Sequence, residues 1–266
     1  MFAHSVQPPI VSLFSSTGSE PLALWTVSKH AELPEDSVVC LFEDTSSAPA
    51  PPEPAKLVAS PPIDSDDEHG RGQGRTLSQT VLHIQSPDIR STYVRCPPTG
   101  SLGLKHPWIH LQVRSLGKEW AFEVGIVDRA GREGIVRFST FQRTPRLKPA
   151  ELPILHLPVS FPQSSHRLTG WAIINVNLAN LLPRFSDVSL LEEEEEEEED
   201  ASEDEDYGNQ PRPRKKARLA GVVPSGTMSH VSYVKVYATC RLRRLWFSQT
   251  GATVDLPWEF ELYSAD

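Results

Sequence analysis

The sequence has no apolar run approaching the ~18 residues that a membrane-spanning helix needs, which excludes a helical span. Cysteine is scarce: Cys40, Cys96 and Cys240 are odd in number, lie far apart and form no CxxC pair. That excludes a disulfide scaffold and reads as reduced, intracellular thiols buried as small hydrophobes. The opening MFAHSVQPP lacks the apolar segment of a secretory signal. Neither a Gly-X-Y repeat nor a sustained heptad is present, so collagen and long coiled coil are excluded. Apolar residues make up 38% of the 266, below the ~45–50% of an ordinary domain, so part of the chain is expected not to fold. The 24 prolines, ~9% against a background near ~5%, point the same way.

What is present is segregated. The net charge of −9 conceals 13 carboxylates between residues 192 and 206, without which the chain sums to +4. Two stretches, about 43–76 and 187–228, carry no periodic apolar face and are predicted disordered. The first is rich in Pro, Ser, Ala and Gly; the second joins the glutamate run to the basic PRPRKKAR. Setting both aside leaves 190 residues with a net charge of +4, enough for one domain with a real core.

In that remainder the hydrophobic period is two. Trp120, Phe122, Val124 and Ile126 alternate on one face, Asp128 to Gly131 supplies a turn, and Val136 and Phe138 return, so 119–141 reads as a hairpin. Further strands are expected at 80–84, 91–95, 107–113, 152–159, 171–176, 231–239, 242–248 and 257–263. Only 177–185 reads helical, with Asn177 as its cap and Pro183 at its end. Many short strands and scarcely any helix predict an all-β fold, an antiparallel sandwich or barrel, as a single domain over 1–266 interrupted by the two insertions.

Reactive chemistry is sparse. His106 and His110 stand four residues apart, a metal-binding spacing on a helix, but on a strand their separation is about 13 Å, too far for one ion. Gly70, Gly72 and Gly74 lack the flanking strand and helix of a phosphate cradle. Gly100-Ser101-Leu102-Gly103 has the wrong spacing for a nucleophile elbow. Thirteen of the 35 carboxylates sit in the solvated acidic tract. The chain therefore reads as a non-enzyme with no catalytic residue, metal or cofactor. Alternation turns most of the six tryptophans inward; exposed ones would make a stacking platform for glycans. In Cys240-Arg-Leu-Arg-Arg-Leu-Trp-Phe-Ser248, Arg241 and Arg243 are expected on one strand face, opposite Leu242, Arg244 and Trp246. Such a guanidinium pair suits carboxylates or phosphates of a partner, or an ion pair inside the chain.

Several stretches together resemble the cilia- and flagella-associated protein 20 family, inner-junction proteins of axonemal doublet microtubules. They are Gly18-Ser-Glu-Pro-Leu-Ala-Leu-Trp25, Ser91-Thr-Tyr-Val-Arg-Cys-Pro97, Leu102-Gly-Leu-Lys105 with Pro107, Phe122-Glu-Val124 and Arg146-Leu-Lys-Pro149. Gly170-Trp171, Asn177-Leu178, the 240–248 segment, Leu256-Pro257 and Glu259-Phe-Glu-Leu-Tyr263 complete the set. The resemblance implies a jelly-roll-like sandwich without catalytic activity. It implies a structural role in the doublet, contacting tubulin and neighbouring axonemal proteins and supporting cilium assembly or motility. Arg146, Lys148, Arg241 and Arg243 fall on the matching stretches and are the expected contacts with acidic tubulin surfaces. Both long insertions are additions to the compact family pattern, which marks a divergent member.

The basic cluster Arg212, Arg214, Lys215, Lys216 and Arg218 has the format read by a nuclear import receptor. The alternative function is accordingly a nuclear scaffold or adaptor near transcription machinery or nucleic acid; a glycan-binding sandwich is a third. The expected location is the axoneme and cytoskeleton of a cilium, or the nucleus, and no membrane.

Overall fold

The computed structural model describes residues 1–46, 57–58, 76–161, 169–191, 223–251 and 256–263. The expected alternation builds two sheets that face each other. The first runs β11 (Trp171–Asn177), β6 (Trp108–Ser115), β13 (Cys240–Ser248), β4 (Thr80–Gln85), β3 (Val38–Glu43), with β1 (Ile10–Ser15) also paired to β13. The second runs β2 (Thr26–Ser28), β5 (Tyr93–Cys96), β12 (Met228–Tyr237), β7 (Ala121–Asp128), β8 (Glu133–Ser139), β10 (Ile154–Pro158), β9 (Arg146–Lys148). The β-sandwich expected from the hydrophobic period is the observed fold. All pairs are antiparallel except β8 with β10, so the sandwich is not purely antiparallel.

Inward residues of both sheets share one core, among them Leu82, Val94, Leu111, Val113, Phe122, Val124, Val136, Leu242, Leu245 and Phe247. Removing that much apolar surface from water, at roughly 25 cal/mol per Å², is the main favourable term in folding. The hairpin expected at 119–141 is β7–β8. Its turn is held by Asp128: Oδ1 accepts from the amides of Ala130 (2.8 Å) and Arg132 (2.9 Å), and Gly131 takes φ 80°, a conformation glycine enters without Cβ strain.

Four strands, β1, β2, β3 and β9, lie outside the sequence expectations. Conversely, 257–263 is not a strand; Pro257 instead starts a single 3-10 turn at Trp258–Phe260. The expected helix is 3-10 over Ala179–Ser186, and Asn177 Oδ1 does accept from the Asn180 amide at 3.3 Å. Pro183 lies inside it rather than at its end. The stretches expected to be disordered begin and end in ordered structure. Glu43 belongs to β3, Val188–Leu190 is a 3-10 turn, Val223 is buried and Met228 opens β12. Asp44 is buried as well, and the remaining parts of both stretches, 47–56, 59–75 and 192–222, with Gly70, Gly72, Gly74 and the basic cluster Arg212 to Arg218, lie outside the described residues.

Candidate functional site

Each sheet turns an outer face away from the core, and each carries a row of cations set by strand register. On the first sheet the row is Cys40, His83, Arg241, Arg114, Trp171, each opposite the next. This row is closed over. Asp44, just past β3, has a wholly buried carboxylate. Its Oδ1 accepts from Arg241 Nη1 at 2.6 Å. Its Oδ2 accepts from Arg114 Nη1 (3.1 Å), Trp171 Nε1 (3.2 Å) and the Leu77 amide (2.8 Å). The Arg241 guanidinium also lies 4.7 Å from the Phe42 ring centroid. Phe42, Leu77, Val81 and Trp171 form a second small apolar cluster here.

The C-terminal turn covers the other half of this face. Arg243 donates to Gln79 Oε1, Gln112 Oε1 and the Glu259 carbonyl, and Arg244 donates to the same carbonyl at 3.1 Å. Phe260 sits against Trp246 and under the Arg244 guanidinium. Burial lowers the pKa of Arg243 to about 10, with the neighbouring charge of Arg244 adding to the effect. The structure corrects the expected facing. The register against β6 slips between Leu242 and Arg244, a bulge that inserts one residue and resets the alternation. Arg244 and Trp246 therefore share the outer face with Arg241 and Arg243, and of the three residues expected opposite that pair only Leu242 points to the core, with Leu245 and Phe247 beside it. Of the two readings of the guanidinium pair, Arg241 takes the internal ion pair and both arginines are buried, at 6% and 3% exposure.

On the second sheet the row is Arg146, His156, Arg137, Glu123, Lys235, Arg95, running across β9, β10, β8, β7, β12 and β5. It holds four fixed cations and one carboxylate. Glu123 binds Arg137 at 2.9 Å and accepts from the Tyr233 hydroxyl at 3.2 Å, with Lys235 Nζ 3.9 Å away. Lys235 Nζ also lies 3.7 Å from the Tyr93 ring centroid and 4.6 Å from that of Tyr237, and Arg95 lies over Tyr233. Burial lowers the Lys235 pKa against the pull of Glu123. For Arg137, burial is outweighed by Glu123 and its pKa rises. Burial, reinforced by Glu123, raises the pKa of Tyr233 and Tyr237, so both phenols stay protonated.

At the β9 end this row opens into a groove of about 550 Å³. Its lining includes Arg90, Arg137, Arg146, Lys148, His156, Phe141 and Tyr237 and, among the described residues, no carboxylate. Arg146 and Lys148 are exposed and Leu147 between them is buried, so both cations stand on the outer face. The sequence expectation thus joined residues from two separate faces: Arg146 and Lys148 come together on the open one, Arg241 and Arg243 on the closed one. Arg95, Arg137, Lys235 and Arg90 were missed. Three of them occupy the polar positions of alternating strands, as between Val94 and Cys96, Val136 and Phe138, or Val234 and Val236. Only the pairing register shows that they form one row.

The remaining residues singled out from the sequence serve the fold. His106 Nε2 meets the Pro8 carbonyl at 2.6 Å; His110 bonds Asn175 Oδ1 (2.6 Å) and Ser248 Oγ (2.8 Å). Cys96 and Cys240 are buried and Cys40 is partly so, and burial raises all three thiol pKa values, Cys96 to about 12. Trp25 and Trp120 are buried in the core; Trp171 and Trp246 stand on the outer face of the first sheet, against the expected inward facing, and are buried by the segments that cover it, while Trp258 is exposed and Trp108 half-buried. No helix among the described residues is long and apolar enough to cross a membrane.

Comparison with known proteins bears on this surface directly. The family model of the CFA20 domain matches residues 69–190, the span that holds Arg90, Arg137, Arg146, Lys148 and His156. Cilia- and flagella-associated protein 20 of Chlamydomonas reinhardtii is 24% identical over 266 aligned positions, covering 99% of this chain and 97% of the relative. The chain thus carries a CFA20 domain at 69–190 and is similar to the Chlamydomonas protein along its length. The proteins of the same name from Caenorhabditis elegans (23% identical, 99% of this chain, 91% of the relative) and Paramecium tetraurelia (22%, 99% and 96%) extend the likeness across the whole fold. The C-terminal strands β12 and β13, beyond the family model, fall within these full-length alignments.

Proposed function

We infer that this chain is a divergent member of the CFA20 family and a non-enzymatic structural protein of cilia and flagella. Its outer second-sheet face contacts the acidic surface of tubulin in doublet microtubules, beside neighbouring axonemal proteins, in support of cilium assembly or motility. The names of its relatives associate them with cilia and flagella. The observation that carries the reading is the groove at β9, with four cations and no lining carboxylate among the described residues. Guanidinium groups at the surface suit paired hydrogen bonds to carboxylates, and a patch of one sign steers an oppositely charged partner into register. Of the four positions expected to make the contact, Arg146 and Lys148 carry it. Arg241 and Arg243 hold the first sheet together.

Co-sedimentation with doublet microtubules tests this. At low salt the full chain is expected to pellet, and the double variant Arg146→Glu/Lys148→Glu to lose at least tenfold in affinity, with binding weakening steeply as salt screens the contact. Equal pelleting of both proteins would remove the groove from the reading. Imaging a tagged chain in a ciliated cell, intact and without residues 211–218, separates the axoneme from a nuclear destination: nuclear signal that vanishes with the deletion would favour the nuclear role.

A further inference from the structure

The second-sheet groove lies beside Leu191, the residue that precedes the glutamate run in the sequence. Leu191 forms a parallel bridge with Leu147, the residue between Arg146 and Lys148. Leu191 packs against the core as Leu147 does. The next residue in the sequence is Glu192, the first of eight consecutive glutamates, followed by Asp200, Glu203, Asp204, Glu205 and Asp206. The most acidic segment of the chain thus begins, in the sequence, one residue past a bridge at the edge of this cationic groove.

We propose that this groove is the docking site of the chain's own glutamate run, 192–206, and that the docked run competes with acidic partners for Arg146 and Lys148. Charge complementarity and tether length both point to this occupant. Eight extended residues reach about 26 Å, ample for a groove whose nearest cations flank the bridge itself. A ligand tethered this closely has an effective concentration on the order of millimolar, far above that of any dilute partner. Docking in cis stands on the geometry alone; only the competition rests on the tubulin reading.

Two measurements on the full chain, both without tubulin, test the docking. A fluorescein-labelled octaglutamate peptide serves as probe at low salt. The variant with Glu192→Gln through Glu199→Gln is expected to bind it at least tenfold more tightly than the natural chain. Adding Arg146→Glu/Lys148→Glu to that variant should abolish the gain, with an unchanged circular dichroism spectrum showing the fold intact. Acylation of Lys148 by a water-soluble ester, read by mass spectrometry, is expected to rise several-fold in the glutamine variant and not to depend on protein concentration. Equal probe affinity for both proteins, or unchanged Lys148 reactivity, overturns the proposal; so does a probe that binds neither. Protection of Lys148 that grows with concentration would place the run in the groove of a second copy and overturn docking in cis. If docking holds and neither protein binds microtubules, it is the tubulin reading that fails.

Discussion

The two outer faces of the sandwich start from similar material and end differently. Each bears a cross-strand row with several cations: Arg241 and Arg114 beside His83 on the first sheet, Arg146, Arg137, Lys235 and Arg95 on the second. On the first, chain segments fold back over the row. Asp44 and Leu77 cap one half, and the 3-10 turn at Trp258–Phe260 caps the other. On the second, Glu123 pairs with Arg137 and lies near Lys235, and the β9 end opens into a groove. A buried guanidinium must be satisfied by the protein, because leaving it unpaired costs several kcal/mol. An exposed one is satisfied by water and keeps its charge available to a partner. The same residue type is therefore structural on one face and available for recognition on the other.

The sharpest way to break this contrast is to remove Asp44. Asp44→Ala leaves Arg241 and Arg114 facing each other in a buried site, and a loss of about 3–5 kcal/mol is expected by urea denaturation. A loss below about 1 kcal/mol would mean that the first face is not held by charge.

Acid should also act on the first face. Burial lowers the pKa of His83 to about 4, opposed by its hydrogen bond with Gln85. The unfolded value lies near 6.5. The stabilising effect of this neutral imidazole is complete above pH ~6.5 and is lost as pH falls toward about 4, by at most ~1.4 kcal/mol per pH unit. The denaturation midpoint is expected to fall between pH 7.5 and 5, and His83→Phe to flatten that dependence. An unchanged slope in the variant would assign the effect to other groups.

On the second face smaller effects are expected. Glu123→Gln removes the charge that binds Arg137 and lies near Lys235; with both cations partly exposed, the loss should be about 1 kcal/mol. Its circular dichroism melting curve, set beside that of Asp44→Ala, measures the difference between the faces. Smallest of all, Arg146→Glu/Lys148→Glu should change stability by no more than about 0.5 kcal/mol while still weakening partner binding. A large destabilisation there would make the open face structural after all.

Much of the fold was legible before the coordinates. Period-two alternation located β4 to β8 and β10 to β13, because a half-buried strand writes its facing into every second residue. β9 and β2 are three residues each, too short to show a period. The residues at 257–263 alternate like a strand, yet Pro257 and the docking of Phe260 on Trp246 make them a turn. β13 was placed well and faced wrongly: every one of its residues is buried, so polarity did not mark its outer side, and the bulge at Arg243 added a residue that no local pattern announces.

The candidate site divides along the same line. Arg146 and Lys148 were within reach only through the resemblance of Arg146-Leu-Lys-Pro149 to the CFA20 family, since three residues are too few to show a period. Arg95, Arg137 and Lys235 are spread over 140 positions of the sequence, and each alone is an ordinary polar position on a strand.

Composition and hydrophobic period, being local properties, were enough to specify a β-sandwich with a weakly basic body and a glutamate run set apart from it. Which cations face each other, which are sealed under Asp44 and Phe260, and that Leu191, next to the glutamate run in the sequence, bridges Leu147 were settled only by strand pairing. Those contacts join residues tens to more than a hundred positions apart, and register over such distances is chosen by the packing of the whole core rather than by any segment within it.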